Sequence, residues 1–305
     1  MDYEESLTIK AAWYYYVEKM TQQKISEHLG ISRMRVIKLL EKARHTGVIQ
    51  FKIREGNAGR MELEQRLIKD FGLKDAFVIP SPPDTQEINQ SIAKAAAMYI
   101  SDRLPENGTI NIGYGETPSA ILNNLATMTE TTVSCVSLTG GVNCYLPNAQ
   151  SNIFNAKLFL IPSPLLTSSK EVSAAIRKEE YVIEISRMAR LSTLTVVGIG
   201  GMGDNATIIK SNILSKNDFM YLRMQGAVGD VLCHFIDANG QPVNADIENR
   251  LISTPLENLK ELENVIGAAG GKDKVESIRA VLNGRYIDIL ITDENTAAGL
   301  FLGKA

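Results

Sequence analysis

A chain of 305 residues with 44% apolar side chains can bury a large core, and its length suits a small module joined to a larger domain. No apolar stretch is long enough to span a membrane and no charged-then-apolar leader opens the sequence, which implies a soluble, bacterial-type cytoplasmic protein. The net charge of −3 conceals an asymmetry: residues 1–54 hold ten Lys/Arg against six Asp/Glu, and residues 55–305 hold 22 against 29, so a basic front precedes an acidic body.

In chain order, residues 7–17 (LTIKAAWYYYV) read as a first helix, with Ile9, Ala12, Trp13 and Tyr16 at helical spacing. Trp13 is expected in the core, and the Tyr14–Tyr16 run is expected to pack rather than to place a phenol on a phosphate. The stretch from Thr21 to Arg44 (TQQKISEHLGISRMRVIKLLEKAR) reads as two short helices around a tight turn. Thr21 caps the first helix, Ile25 and Leu29 face inward, Gly30 makes the turn, Ile31 plugs the corner and Ser32 caps the second. Val36, Leu39, Leu40 and Ala43 then form one buried stripe, with Arg35, Lys38 and Lys42 on the other side. An apolar back with a cationic front is what a helix needs to dock on a scaffold and enter the major groove. The expected DNA contacts are Gln22, Gln23, Ser32, Arg33, Arg35 and Lys38, with Lys42 on a phosphate. After Gly47, Val48–Arg54 alternates like a half-buried strand, suggesting a wing whose Lys52 and Arg54 hold phosphates.

Gly56–Gly59 reads as a link, which sets the expected domains at 1–56 and 57–305. Met61–Phe71 is amphipathic, with Leu63, Leu67 and Phe71 in line, and suits either a dimer contact or packing on its own body. From residue 87 onward, helices and near-continuous apolar strands alternate. Helices are expected at 87–103, 117–127, 170–190, 272–283 and 294–301. Strands are expected at 76–79, 109–114, 132–138, 157–161, 193–198, 231–236, 264–269 and 286–291. The fold class is therefore α/β: a winged helix-turn-helix module followed by a three-layer, Rossmann-like domain on a mostly parallel sheet.

The strands of the body end in polar, glycine-rich turns: GYGET (113–117), TGGVN (139–143), GIGGMGDN (198–205), GAVGD (226–230) and AAGGKDK (268–274). In open α/β sheets ligands sit outside the carboxyl ends of the strands, and helix N-termini offer free N–H groups to an anion. Lys274 could add a point charge there, and Asp230 could accept hydrogen bonds from sugar hydroxyls. GIGGMG matches a dinucleotide fingerprint, but Asp218 does not end a second strand as a ribose-binding carboxylate should, and no phosphate-binding GxxxxGK[ST] exists. Neither cofactor nor metal is expected: Cys135, Cys144 and Cys233 match no zinc or CxxC spacing and suit free thiols. Of the histidines, His28 and His45 lie in the front, and His234, inside VLCHFID, reads as a satisfied core residue. No Ser nucleophile elbow is present, so an enzyme would have to work through carboxylates or lysine, as a sugar-phosphate isomerase or deaminase.

The head TQQKISEHLGISRMRVIKLLEKARHTGVI, together with LTGGV, VVGIGG, GAVGDVL, AAGGKDKVESI and GRYIDILITDENTAAGL, resembles SorC-type (DeoR/SorC) sugar-responsive transcriptional regulators. GAVGD, DNATII (204–209) and TDENTAA look most like the Lsr-type repressors of autoinducer-2 uptake operons. The resemblance covers nearly the whole chain. It implies an effector domain related in fold to ribose-phosphate isomerases and glucosamine-phosphate deaminases but kept as a sensor. It also implies a phosphorylated sugar or phosphorylated autoinducer-2-like effector, and a homotetramer on operator DNA. Carried onto matching positions, Asp230 and Lys274 are the leading effector contacts, followed by Gly115, Glu116 and Thr117, then Gly140, Gly141 and Gln150. The catalytic His of the deaminase relatives' Gly-rich segment has no counterpart in 198–209.

Overall fold

Three helices build the N-terminal part of the chain: α1 (Tyr3–Tyr16), α2 (Gln22–Leu29) and α3 (Arg33–His45). They close on Leu7, Ala11, Ile25, Val36, Leu39 and Leu40, the α3 residues being the stripe expected from spacing. Thr21 Oγ1 accepts from the Lys24 N–H at 3.3 Å and Ser32 Oγ from the Arg35 N–H at 3.3 Å, so both caps form, and Gly30 turns the chain at φ 65°. Trp13 differs from expectation: it is 55% exposed. The buried side of α1 is Leu7, Thr8, Ala11 and Ala12, where the two small alanines leave room for the neighbouring helices, and Trp13 lies two residues on, turned away from Ala11.

In the computed structural model the described residues are 3–49, 55–84, 87–106, 108–128, 132–145 and 156–302. The chain divides into two compact units, Met1–Ala58 and Gly59–Ala305. The expected wing, with Lys52 and Arg54, lies almost entirely outside the described residues; Val48 and Ile49 at its start are not in a strand.

The second unit begins within α4 (Glu55–Phe71). Leu67 is fully buried in the unit's own core, and Leu63, Ile68 and Phe71 pack against that core. The chain then runs β1 (Asp75–Ile79), α5 (Ile88–Ser101), β2 (Thr109–Ile112), α6 (Glu116–Met128), β3 (Val133–Ser137) and β4 (Ala156–Phe159). It continues through α7 (Lys170–Ile176), α8 (Glu180–Leu191), β5 (Leu194–Gly201), α9 (Thr207–Lys210), α10 (Lys216–Met224), β6 (Gly229–Val231), β7 (His234–Ile236), α11 (Ala245–Arg250) and α12 (Leu256–Lys260). β8 (Val265–Ala268), α13 (Val275–Asn283), β9 (Ile289–Asp293) and α14 (Glu294–Gly299) complete it.

Seven strands form a parallel sheet in the order β1-β9-β8-β5-β2-β3-β4. Alternate strand residues feed opposite layers. Leu194 and Val196 of β5 pack with α5 and α6, whereas Val197 and Ile199 pack with α4, α8, α12 and α13. The fold is thus three-layered, with both faces of the sheet covered. From β2 the chain winds outward to β3 and β4, then returns to lay β5 on the other side of β2. The strand order therefore reverses between β2 and β5, which is where an open α/β sheet opens a crevice at its carboxyl edge.

Two expected elements are divided. The helix over 170–190 is broken at 177–179 into α7 and α8, and Arg177 turns to donate to Leu251 O at 2.7 Å and Ser253 O at 3.1 Å. The strand over 231–236 is a hairpin, β6 and β7, antiparallel to each other and to the end of β5. Its two-residue turn is Leu232 and Cys233 at φ 52° and 65°, 2% and 3% exposed. Tight hairpin turns normally announce themselves with Asn-Gly or Asp-Gly; two apolar residues at positive φ read as a continuous strand.

Candidate functional site

On the N-terminal unit, the buried stripe of α3 fixes which side faces out. Ser32, Arg33, Arg35, Lys38 and Lys42 are all exposed, as are Gln23 and, in part, Gln22. Gln22, Gln23 and Arg33 share one open concavity with Tyr15, Tyr16 and Lys19, the last of which nothing in its local sequence marks. Two expected contacts are engaged within the unit. Gln23 Nε2 donates to Glu27 Oε1 at 2.9 Å, and Lys42 Nζ pairs with Glu4 Oε1 at 2.8 Å, which holds the Glu4 carboxyl below its ordinary range. Lys42 is therefore already paired within the unit and would have to leave Glu4 to meet a phosphate.

On the second unit, a cavity of about 210 Å³ opens at the carboxyl ends of β2 and β5, at the switch point. It brings together Gly115, Glu116, Thr117, Asp230 and Lys274, from segments as far apart as residues 115 and 274. Glu116 and Thr117 open α6, and as its first two residues their N–H groups have no intrahelical acceptor; Pro118 carries no N–H, and the Ser119 N–H donates to Gly115 O at 3.1 Å. Asp230 lies on β6 opposite Gly200 of β5, and its Oδ2 accepts from the Cys233 N–H at 3.1 Å across the strained turn. A Cβ at Gly200 would collide with the Asp230 carboxylate, and one at Gly198 would come within 2.9 Å of Pro118 Cδ. The glycines of GIGG thus lie inside strand β5 and make room for Asp230 and the α6 terminus, which removes the dinucleotide-turn reading.

Burial pushes the Asp230 carboxyl up to about 6, against the pull of the Cys233 N–H and the Lys274 charge. Burial also lowers Lys274 from the ordinary lysine range, while the carboxylates of Asp273, Asp230 and Glu116 draw it back up. Among the described residues, no hydrogen bond or ion pair holds the Lys274 ammonium; its recessed charge has no bonded counterion.

The remaining expected positions separate. Gly140 and Gly141 do not line the cavity: their N–H groups donate to Ile252 O and Ser163 O, each at 2.9 Å. Gly141 is at φ 80°, and a Cβ there would come within 3.2 Å of the ring of Tyr114, which does line the cavity. Gln150 lies outside the described residues. Asn89 and Lys210 line the cavity without any local sequence signal, each arriving from an element that only the topology carries there, while Asp273 lines it from the AAGGKDK turn beside Lys274. The expectation for His234 holds: it is 3% exposed, with Nδ1 at 2.6 Å from Glu248 Oε2 and Nε2 at 3.0 Å from Thr254 O. Cys135 and Cys233 are free and buried, and burial pushes the Cys135 thiol up to about 12.

An exposed helix-turn-helix face and a polar switch-point cavity on separate units define a DNA-binding regulator with a ligand-binding domain. Comparison with known proteins agrees. The sugar-binding domain family (Sugar-bind) matches residues 56–301, and region 4 of sigma-70 matches residues 5–46. The transcriptional regulator LsrR of Klebsiella pneumoniae subsp. pneumoniae is 35% identical over 298 residues, spanning 96% of this chain and 92% of that protein. The regulator of the same name from Escherichia coli K12 is 34% identical over 301 residues, spanning 97% and 95%. The full-length sorbitol operon regulator SorC of Klebsiella pneumoniae superposes with a TM-score of 0.68 at 26% identity, covering 98% of this chain and 99% of that one. A DeoR family regulator from Listeria monocytogenes shares the fold, with a TM-score of 0.70 over 79% of this chain and 99% of that one at 24% identity. The chain belongs to the SorC-type family of transcriptional regulators with a sugar-binding domain, with LsrR proteins among its relatives. No helix among the described residues is long and apolar enough to cross a membrane.

Proposed function

We propose that this regulator is a cytoplasmic repressor, acting as a homotetramer, whose cavity takes a phosphorylated sugar or a phosphorylated autoinducer-2-like molecule without turning it over. The observation that carries this reading is the Lys274 ammonium, recessed and unpaired, in the same cavity as the N-terminus of α6. Those two features suit a phosphate, and Asp230 suits the hydroxyls of the body it is attached to. Ser32, Arg33, Arg35 and Lys38 then read the operator from α3, Gln22 and Gln23 support them from α2, and Lys52 and Arg54 are assigned phosphates on charge alone. A signal that releases DNA must prefer the state that binds DNA poorly, and a coupling of about 1–3 kcal/mol changes operator affinity roughly 5- to 150-fold.

The test is a thermal-shift series on the full chain with ribose, ribose 5-phosphate, inorganic phosphate and phosphorylated autoinducer-2, followed by operator release with whichever compound binds. A ligand at 100 times its Kd stabilises the native state by about 2.7 kcal/mol, so phosphorylated compounds should raise the melting temperature and ribose should not. Equal shifts with and without the phosphate would sink the reading. A sugar-phosphate isomerase or deaminase is the second reading, favoured by one observation: a carboxyl raised to about 6 near a lysine lowered from its usual range is a pairing that proton transfer uses. Its test is product formation from ribose 5-phosphate or glucosamine 6-phosphate, with none expected.

A further inference from the structure

The same cavity is lined by a second cation, Lys210, at the end of α9. Its Nζ is 3.5 Å from Glu116 Oε1, in the first turn of α6, and both side chains are about half exposed, at 52% each. Glu116 therefore sets a carboxylate at the helix end where an incoming anion would be most favourably received, and Lys210 balances it. With Asp230 and Asp273 also lining the cavity, three carboxylates accompany two ammonium groups there. A phosphate dianion at the α6 terminus is repelled by an undisplaced Glu116 carboxylate, an effect that solvent moderates because that side chain is about half exposed.

Resting on the phosphate reading above, we propose that the Lys210–Glu116 ion pair is a latch over the anion site: Lys210 transfers from Glu116 to the ligand's phosphate, and Glu116 swings into solvent. The exchange is easy in the direction of phosphate. An exposed, single-contact pair at 3.5 Å is weakly held, whereas a phosphate offers Lys210 a doubly charged acceptor in a recessed site that Lys274 also serves. The latch selects by charge. A neutral sugar gives Lys210 nothing to exchange for Glu116, so the pair stays closed; a phosphorylated sugar opens it. Selectivity for phosphorylated effectors thus rests on the anion that must be displaced as well as on the cations that attract.

The test uses the full chain, inorganic phosphate as probe and calorimetric titration. Glu116→Gln removes the competitor and should tighten phosphate binding by about threefold or more; Lys210→Met should weaken it by about tenfold, the loss of one charge-assisted contact. The double variant Glu116→Gln/Lys210→Met should stay weaker than wild type, because Lys210 meets the phosphate itself; Lys210→Arg should restore most of the affinity. Both side chains are exposed, so circular dichroism should show every variant folded. If the wild type binds phosphate and Lys274→Ala loses it, yet Glu116→Gln and Lys210→Met match the wild type within about twofold, the latch falls and the phosphate reading stands. Return of the double variant to wild-type affinity also overturns the latch, since Lys210 would then serve only to neutralise Glu116. If the wild type binds no phosphate at all, the latch and the reading fall together.

Discussion

On α3, Arg33, Arg35 and Lys38 stand in solvent on an apolar back; in the cavity, Lys274 and Asp230 are recessed among glycines and helix ends. Both regions use charge, and they differ in the cost of holding it. An exposed cation is hydrated, costs little to keep, and contributes to DNA affinity by releasing counterions from the phosphate backbone. A recessed charge has lost hydration, so its protonation state and its counterion become variables. The first arrangement makes a surface sensitive to salt, the second a pocket sensitive to pH and to the charge of its ligand.

The contrast breaks most visibly at Arg35. Arg35→Ala should cost operator affinity about 1–3 kcal/mol, read by fluorescence anisotropy, with the salt slope reduced and the melting temperature of the second unit unchanged. Undiminished binding would remove α3 as the reading helix. Next in size is the steric side of the cavity. Gly200→Ala places a methyl on the Asp230 carboxylate and should abolish the response to the effector while leaving DNA affinity in its absence within about twofold. A normal response in that variant would show that Asp230 makes no effector contact.

A smaller effect sharpens the electrostatic half. The Asp230 carboxyl is raised from 3.8 to about 6 by burial, so the native state holds a proton more tightly than the unfolded chain. The associated stability is fully present below the unfolded value near pH 3.8 and is lost as pH rises through about 6. Asp230→Asn, which still accepts from the Cys233 N–H through its amide oxygen, should therefore be more stable than wild type by up to about 2 kcal/mol at pH 7.5. That advantage should vanish near pH 4, as followed by urea unfolding at both pH values. A difference independent of pH would refute the burial argument. The smallest effect belongs to Lys42. Because Glu4 already holds it, Lys42→Met should lower DNA affinity less than Lys38→Met does; the reverse order would show the pair dissolving on the DNA.

Much of this was legible in the chain. Local chemistry with a fixed period, such as the Thr21 and Ser32 caps, the Gly30 turn and the stripe from Val36 to Ala43, needs no distant partner and can be read directly. So can the alternation of apolar strands and helices that makes a parallel sheet. The positions of Asp230 and Lys274 could be named because glycine-rich turns at strand ends are where such sheets place ligands. What the tertiary structure decided are the cases where two distant segments must meet. Trp13 left the core because Ala11 and Ala12, not the largest residue, let the neighbouring helices close. Leu232 and Cys233 became a turn because surrounding packing holds a backbone conformation their own chemistry disfavours. Gly198 and Gly200 proved to be clearances for Pro118 and Asp230, and Lys210 came to face Glu116, 94 residues away in the chain. Sequence records what a residue can do with its neighbours a turn or two away; which remote side chain it must admit or balance is set only when the sheet orders its strands.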